Sequence, residues 1–339
     1  MTTTEPDVKT WACPDSKLIL SADAPRSEWL AARKIGLGGS DAAALMGDNP
    51  YDDGTPYFVW QDKINPEASE DRANKAMERG AAMEPIVRGL FESRTGLKTR
   101  RQGLHQSRTN PLMVASVDAL EESGGGVELK TATTWAQSKW PEGWQDSGVP
   151  LYNWQAKHYM KVTGRRHWYV AALVIDTWEL YVWKIDRDED ELELLEVVET
   201  EFWRTYVETG IAPDIDWDNY TSDEIRARFP TVTGEVLKLG AESQQAHDLR
   251  ELILDRRAID AEMKEAEAEK DRINDRIRVI AGGYAEVQID GRKALTLKEQ
   301  TTRRVTKDAI AEAYPDVDIE RCKSASTSRV LRLDGKIFR

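Results

Sequence analysis

Two acids and a lysine stand close together in the middle of the chain: Asp118, Glu128 and Lys130, the last two inside Val127-Glu128-Leu129-Lys130. Between Asp118 and Glu128 lies Glu121-Glu122-Ser123-Gly124-Gly125-Gly126, a glycine-rich connection between two runs of β-type composition, which predicts a hairpin. A turn centred on Ser123 sets Asp118 directly opposite Glu128, with Cβ atoms roughly 5 Å apart. Side chains alternate along a strand, so Ser116 and Asp118 share one face, as do Glu128 and Lys130, and the register joins all four. Two facing carboxylates repel unless a cation lies between them. A hard divalent ion with oxygen ligands, Mg²⁺ with Mn²⁺ as its substitute, suits that position. The neighbouring Lys130 could orient or deprotonate a water, or neutralise charge on a phosphate. Charged strand residues are usually a solvated face, but these lie among Val114, Ala115, Val117, Ala119, Val127 and Leu129. In such half-buried strands unpaired charge is expensive and calls for a reason.

The elements that must hold these residues can be read along the chain. Residues 1–25 carry Pro6, Pro14 and Pro25 without periodicity and read as an arm. A helix is expected from Ser27 with Trp29 on its apolar side, then a break at Gly36, Gly38 and Gly39. Ser40-Asp41 can cap a second helix through Met46. Asn74 to Thr95 is helical in pattern, with a kink or a new start near Glu84 because Pro85 follows. Strands are expected at Leu112 to Leu120 and Val127 to Thr131, a helix at Tyr152 to Thr163 ended by Gly164, and strands at Arg166 to Ile175 and Trp178 to Ile185. A helix carrying nine carboxylates between Asp186 and Glu201 follows. Residues 213–240 read as a linker with one short helix. From about Ala241 to Ala281 there is no proline or glycine. Leu249, Leu252, Ile259, Met263, Ala266, Ile273, Ile277 and Ile280 follow alternating three- and four-residue steps there, broken by Arg256 and Lys270 on the same stripe. That predicts a helix of about 40 residues forming a coiled coil with itself or a partner. A hairpin turning at Asp290-Gly291, a helix over Lys307 to Tyr314 and a strand over Arg329 to Leu333 close the chain.

Bulk properties set limits. The 339 residues, 40% hydrophobic and 32% charged, describe a globular protein of one sizeable domain plus an appendage, or of two domains. No run reaches the roughly 18 apolar residues of a membrane span, and the N-terminus lacks a signal-peptide pattern, so a cytoplasmic location is expected. Cys13 and Cys322 are far apart and suggest neither zinc site nor disulfide framework. The net charge of −13 argues at first against nucleic acid, but DNA responds to local patches, and Arg100, Arg101, Arg165 and Arg166 form small basic clusters. His158 and His167 lack metal-ligand spacing. Trp29, Trp154 and Trp168 read as packing aromatics.

The spacing Asp118-x₉-Glu128-x-Lys130 resembles the signature of the PD-(D/E)XK nucleases, with Val117 in place of the usual proline. More specifically the chain resembles the YqaJ-type viral recombinases related to lambda exonuclease. Trp29-x₃-Arg33-x₆-Ser40-Asp41, Arg79-Gly80-x₃-Glu84-Pro85, and Asn153-Trp154-Gln155 with Tyr159 match further blocks of that family in order, over about residues 26–210. The resemblance implies a restriction-endonuclease-like α/β (α+β) core, a mixed central β-sheet flanked by helices. It covers residues 26–212, followed by linker 213–240, coiled coil 241–282 and a small α+β module 283–339. It implies that Asp118, Glu128, the Leu129 carbonyl and Glu84 bind two Mg²⁺ ions. Lys130 and Gln155 would position the attacking water, and Arg33, Ser40 and Ser116 would grip the 5′ phosphate of a DNA end. The implied activity is 5′-to-3′ exonucleolytic digestion of double-stranded DNA ends for phage-type recombination in a bacterial cytoplasm. The implied assembly is a ring-shaped trimer working with a single-strand annealing protein of the RecT or Red-beta type. Rival readings are an endonuclease or structure-specific resolvase of the same superfamily, and a non-catalytic DNA-binding scaffold.

Overall fold

A computed structural model describes residues 11–65, 75–301, 306–314, 321 and 330–333. Residues 1–10 of the expected arm, the Asn74 start of a helix, Cys322 and Arg329 lie outside the described residues. The chain divides into two compact units, one ending at Pro230 and the other beginning at Thr231.

The first unit runs β1 (Ser16–Leu20), α1 (Arg26–Ala32), α2 (Gly39–Leu45), α3 (Pro56–Ile64), α4 (Lys75–Thr95), β2 (Thr99–Arg101), β3 (Leu104–Ser107), β4 (Val114–Ser116), β5 (Ala119–Glu121) and β6 (Gly126–Ala132). It continues with α5 (Thr134–Gln137), α6 (Trp144–Ser147), α7 (Pro150–Thr163), β7 (His167–Val174), β8 (Glu179–Asp186), α8 (Glu189–Phe202) and α9 (Ser222–Arg228). Five strands form a mixed sheet in the order β2-β5-β6-β7-β8, and β1, β3 and β4 form a second, three-stranded sheet. Only β6 and β7 are parallel, and α5 to α7 make the crossover between them, since parallel neighbours need a long connection. β7 is nearly continuous Val, Ala and Leu after Trp168 and Tyr169, with Val170 through Val174 fully buried, the composition of a strand covered on both faces.

Period-two alternation sorts the two cores. Val127, Ala171 and Leu173 pack with Val87 and Phe91 of α4 on one face. Trp168 and Val170 pack with Ala156, Tyr159 and Met160 of α7 on the other. Glu128 and Lys130, one residue out of step with Val127 and Leu129, therefore face α7. The helices α4 and α7 are the two layers that flank the sheet.

Three local expectations need correction. The run from Leu112 to Leu120 is two strands: β4 pairs with β3, whereas β5 pairs with β2 and β6. The chain changes sheets at Val117–Asp118, where the Val117 N–H donates to the Gly103 carbonyl and the Gln102 N–H to that of Asp118. α4 continues through Pro85 without a new start. One backbone bond is lost there, while Val87 and Phe91, 1% and 0% exposed, anchor the following turns to the sheet. α1 begins at Arg26 with Pro25 before it, and no side chain caps it. The one short helix expected in residues 213–240 is α9, and it is tied to the first unit. The Thr221 hydroxyl donates to the Asp52 carbonyl at 2.6 Å, and Arg228 stacks 4.2 Å from the Tyr57 ring centroid.

The second unit contains α10 (Gln244–Ala281), β9 (Glu286–Ile289), β10 (Arg292–Thr296) and α11 (Lys307–Ala313). β9 and β10 form a hairpin through Asp290 and Gly291, both with positive φ, as an Asp-Gly turn of this kind requires. Residues 330–333 carry no strand. Among the described residues no helix is long and apolar enough to cross a membrane.

Candidate metal and phosphate site

The hairpin register is the one a turn centred on Ser123 sets: Ala119 pairs with Val127 and Leu120 with Gly126. One step further along, Asp118 comes against Glu128. β5 has ended there, and the Leu129 N–H donates to Asp118 Oδ2 at 2.8 Å. Within a strand the N–H and C=O of one residue point the same way, so the Leu129 carbonyl is also directed toward the Asp118 side.

Glu128 is 2% exposed. Its Oε1 accepts from Gln155 Nε2 at 2.7 Å and pairs with Lys130 Nζ at 2.5 Å. Its Oε2 is buried with no hydrogen-bond partner. A carboxylate oxygen in that state is costly unless something outside the protein's own donors satisfies it. Burial pushes the Asp118 carboxyl well above the ordinary aspartate range, and the charge of Glu128 adds to it, against Lys130 and the Leu129 N–H. Burial also raises Glu128, with Lys130 opposing. For Lys130, burial works downward but Glu128 and Asp118 outweigh it, so the ammonium is held in its charged form. In that form Lys130 is a cation and hydrogen-bond donor.

Glu84 approaches from α4, and its charge bears on both Asp118 and Glu128. Arg101 of β2 lies 3.8 Å from it. Among the described residues no three Asp, Glu, His or Cys side chains converge tightly enough to form a metal cage alone. Two do meet, Asp118 and Glu128. Two carboxylates with a backbone carbonyl and waters are an ordinary oxygen set for Mg²⁺, and the unpartnered Glu128 Oε2 fits the same ion.

The other expected residues arrive through α7 and α2. Gln155 donates to both Glu128 and the Tyr159 hydroxyl, the latter at 2.8 Å. A Cβ at Gly39 would come within 2.8 Å of Gln155 Cγ and 2.6 Å of Tyr159 Cε1, so only glycine lets the start of α2 lie this close to α7. The next residue, Ser40, accepts a hydrogen bond from Arg33 at 3.0 Å. Asp41 accepts from the Gly38 N–H at 2.8 Å and pairs with the buried Lys63 at 2.8 Å, which fixes the turn. Arg33, Ser40, Gln155, Glu128, Lys130 and Asp118 are thus one connected neighbourhood. Ser116 ends β4, opposite Leu104 in the second sheet, so its place beside Asp118 does not follow from alternation along one strand.

Several contributors had weak or no sequence signals. Tyr152, whose ring centroid is 5.5 Å from Lys130 Nζ, sits three residues before Gln155 and could have been found by helical spacing. Lys63 had no local signal. His158 was expected to be ordinary. It is fully buried, with Nδ1 2.8 Å from Glu199 and Nε2 2.9 Å from the Val114 carbonyl, and it ties α7 to α8 and β4. Burial lowers the His158 pKa, but Glu199 outweighs it and keeps it above the ordinary value. Arg165, expected in a basic cluster, is buried and bonds the carbonyls of Glu121 and Gly125. It is a scaffold residue.

The mixed sheet thus bears a facing Asp–Glu pair and an acid-x-lysine strand. Residues 28–166 match the YqaJ-like viral recombinase domain. The uncharacterized protein YqaJ of Bacillus subtilis (strain 168) is 26% identical over 306 residues, 88% of this chain and 92% of the relative. A match of that extent cannot stop at Pro230, so it takes in part of the second unit. Among solved structures, an alkaline exonuclease from Laribacter hongkongensis is 24% identical, covering 55% of this chain and 94% of that one, with a TM-score of 0.45. A phage related exonuclease from Haemophilus somnus 129PT is 13% identical over 53% of this chain and 99% of that one, with a TM-score of 0.37. At such similarity the chemistry of this chain has to be read from its own residues.

Proposed function

We propose that the first unit is a Mg²⁺-dependent deoxyribonuclease that digests double-stranded DNA ends in the 5′-to-3′ direction, resecting them for recombination by single-strand annealing. The observation that carries this reading is the Asp118–Glu128 pair, with one buried carboxylate oxygen unsatisfied and a charged lysine beside it. Asp118, Glu128 and the Leu129 carbonyl would hold one ion, and Glu84 a second or its water. Bound there, the metal would supply an activated water and stabilise the charge that develops on the leaving oxygen.

The chain's own residues would do the rest. Lys130, held protonated, donates toward the non-bridging oxygens of the scissile phosphate. Gln155 has its amide nitrogen engaged twice, which leaves its carbonyl oxygen to orient a water. The Arg33 guanidinium, already bonded to Ser40, offers a terminal phosphate further donors, with Ser116 a third member of that grip. The same reading carries a ring-shaped trimer enclosing the duplex and an annealing protein that takes the exposed strand.

The test is digestion of linear duplex labelled at the 5′ or the 3′ end, with and without a 5′ phosphate and Mg²⁺, beside closed circular DNA. Early release of the 5′ label, faster with the phosphate, and sparing of the circle are expected. Cleavage of the circle would make the protein an endonuclease. Early release of the 3′ label would reverse the polarity.

A further inference from the structure

Along α10 the exposed side chains form a seam with one-sided flanks. From Leu252 to Ile280, alternating four- and three-residue steps place Leu252, Ile259, Met263, Ile273, Ile277 and Ile280 on one stripe, each between 38% and 81% exposed. Four heptads of this kind run about 42 Å at 1.5 Å per residue. Arg256 and Lys270 interrupt the stripe. Each is paired within its own helix, Arg256 with Asp260 at 3.5 Å and Lys270 with Glu267 at 2.6 Å. The positions bordering the seam hold Asp255, Asp260, Glu262, Glu267 and Glu269, against the single base Arg276.

Those flanks decide what can cover the seam. In a coiled coil the bordering residues of two helices meet and set partner choice. A parallel pair of two copies would bring Asp255 against Asp260, Glu262 against Glu267, and Arg256 and Lys270 each against itself. An antiparallel pair centred on the helix would bring Glu262 against Glu269 and Asp260 against Glu267, with only Asp255 and Arg276 attracting. Self-pairing is repulsive either way, yet an apolar stripe of this length left to water needs a cover.

We infer that this face docks an amphipathic helix of a different protein, one whose seam is apolar and whose flanks are rich in lysine and arginine. The inference stands whether or not the first unit cleaves DNA.

Two labelled synthetic helices test it against the full-length protein by fluorescence anisotropy, each about 30 residues long with the same isoleucine–leucine heptad seam. One carries lysine at every flanking position and the other glutamate. The lysine probe should bind at least tenfold more tightly, lose affinity between 0.1 and 0.5 M NaCl, and lose binding to the exposed-site variant Ile259→Asp/Ile273→Asp. Sedimentation of the protein alone should give one mass for the parent and that variant. Equal binding of the two probes, or no binding, overturns the inference. So does a drop in mass in the double variant, which would show that a second copy occupies the seam.

Discussion

The strand β6 and the helix α10 use the same residue types under opposite rules. Around β6 the carboxylates of Glu128 and Asp118 are buried or half-buried and meet named partners at fixed distances, and one buried oxygen of Glu128 has none. Along α10 they stand in water, and pairs such as Arg272 with Glu269 join side chains more than half exposed. A buried carboxylate is costly enough to demand a partner, so its neighbours reveal what it does. An exposed one is nearly free, and only its pattern over several turns carries information.

The sharpest break of this contrast is at the metal site. Asp118→Asn or Lys130→Ala should reduce Mg²⁺-dependent cleavage by about 1000-fold or more, as loss of transition-state stabilisation of that kind does, with circular dichroism unchanged. In EDTA, Asp118→Asn should melt higher than the parent, by about 1 kcal/mol, because facing charge is relieved. Mg²⁺ should raise the melting temperature of the parent and not of the variant. A variant that melts lower in EDTA would mean that the pair is structural.

Breaking the His158–Glu199 pair comes next. Glu199→Leu leaves a buried imidazole without its acid and should cost roughly 3–5 kcal/mol, read by chemical denaturation.

Glu121 tests the same rule in acid. Burial alone would raise its pKa, but the His167 ring and the Ser123 and Gly125 N–H groups hold it down to about 2. A carboxylate depressed in the folded state contributes stability above its unfolded pKa, and that stability drains away as pH falls from about 4.5 toward 2. Glu121→Gln should cost about 1–3 kcal/mol at neutral pH and flatten the acid limb of the stability curve.

The smallest effect belongs to α10. Ile259→Asp/Ile273→Asp should change the stability of the isolated protein by less than about 0.5 kcal/mol per site. A larger loss would show that the seam is already covered within the chain.

Much of the site was legible because it is local. The register of Asp118 against Glu128 follows from one glycine-rich turn, and Arg33, Ser40, Glu84 and Gln155 each sit in a short block with its own spacing. What was not legible came from distant chain. The sheet change at Val117 depends on bonds to Gly103 and Gln102, so continuous β-type composition hid it. The passage of α4 through Pro85 depends on packing against the sheet, which local propensity does not encode. Lys63 and His158 find Asp41 and Glu199 only after the helices have docked.

The bare backbone at Gly39 has a consequence of a metrical kind. Ser40 belongs to α2 and holds Arg33 by a hydrogen bond, while Gln155 belongs to α7 and the Glu128 it donates to belongs to β6. The gap between the two groups is therefore gauged by a missing methyl. If the first group holds a strand's terminal phosphate and the second cuts the next linkage, that gap is the length of one nucleotide step. Gly39→Ala would widen the gauge, and the error should appear in the size of the product rather than in the rate alone.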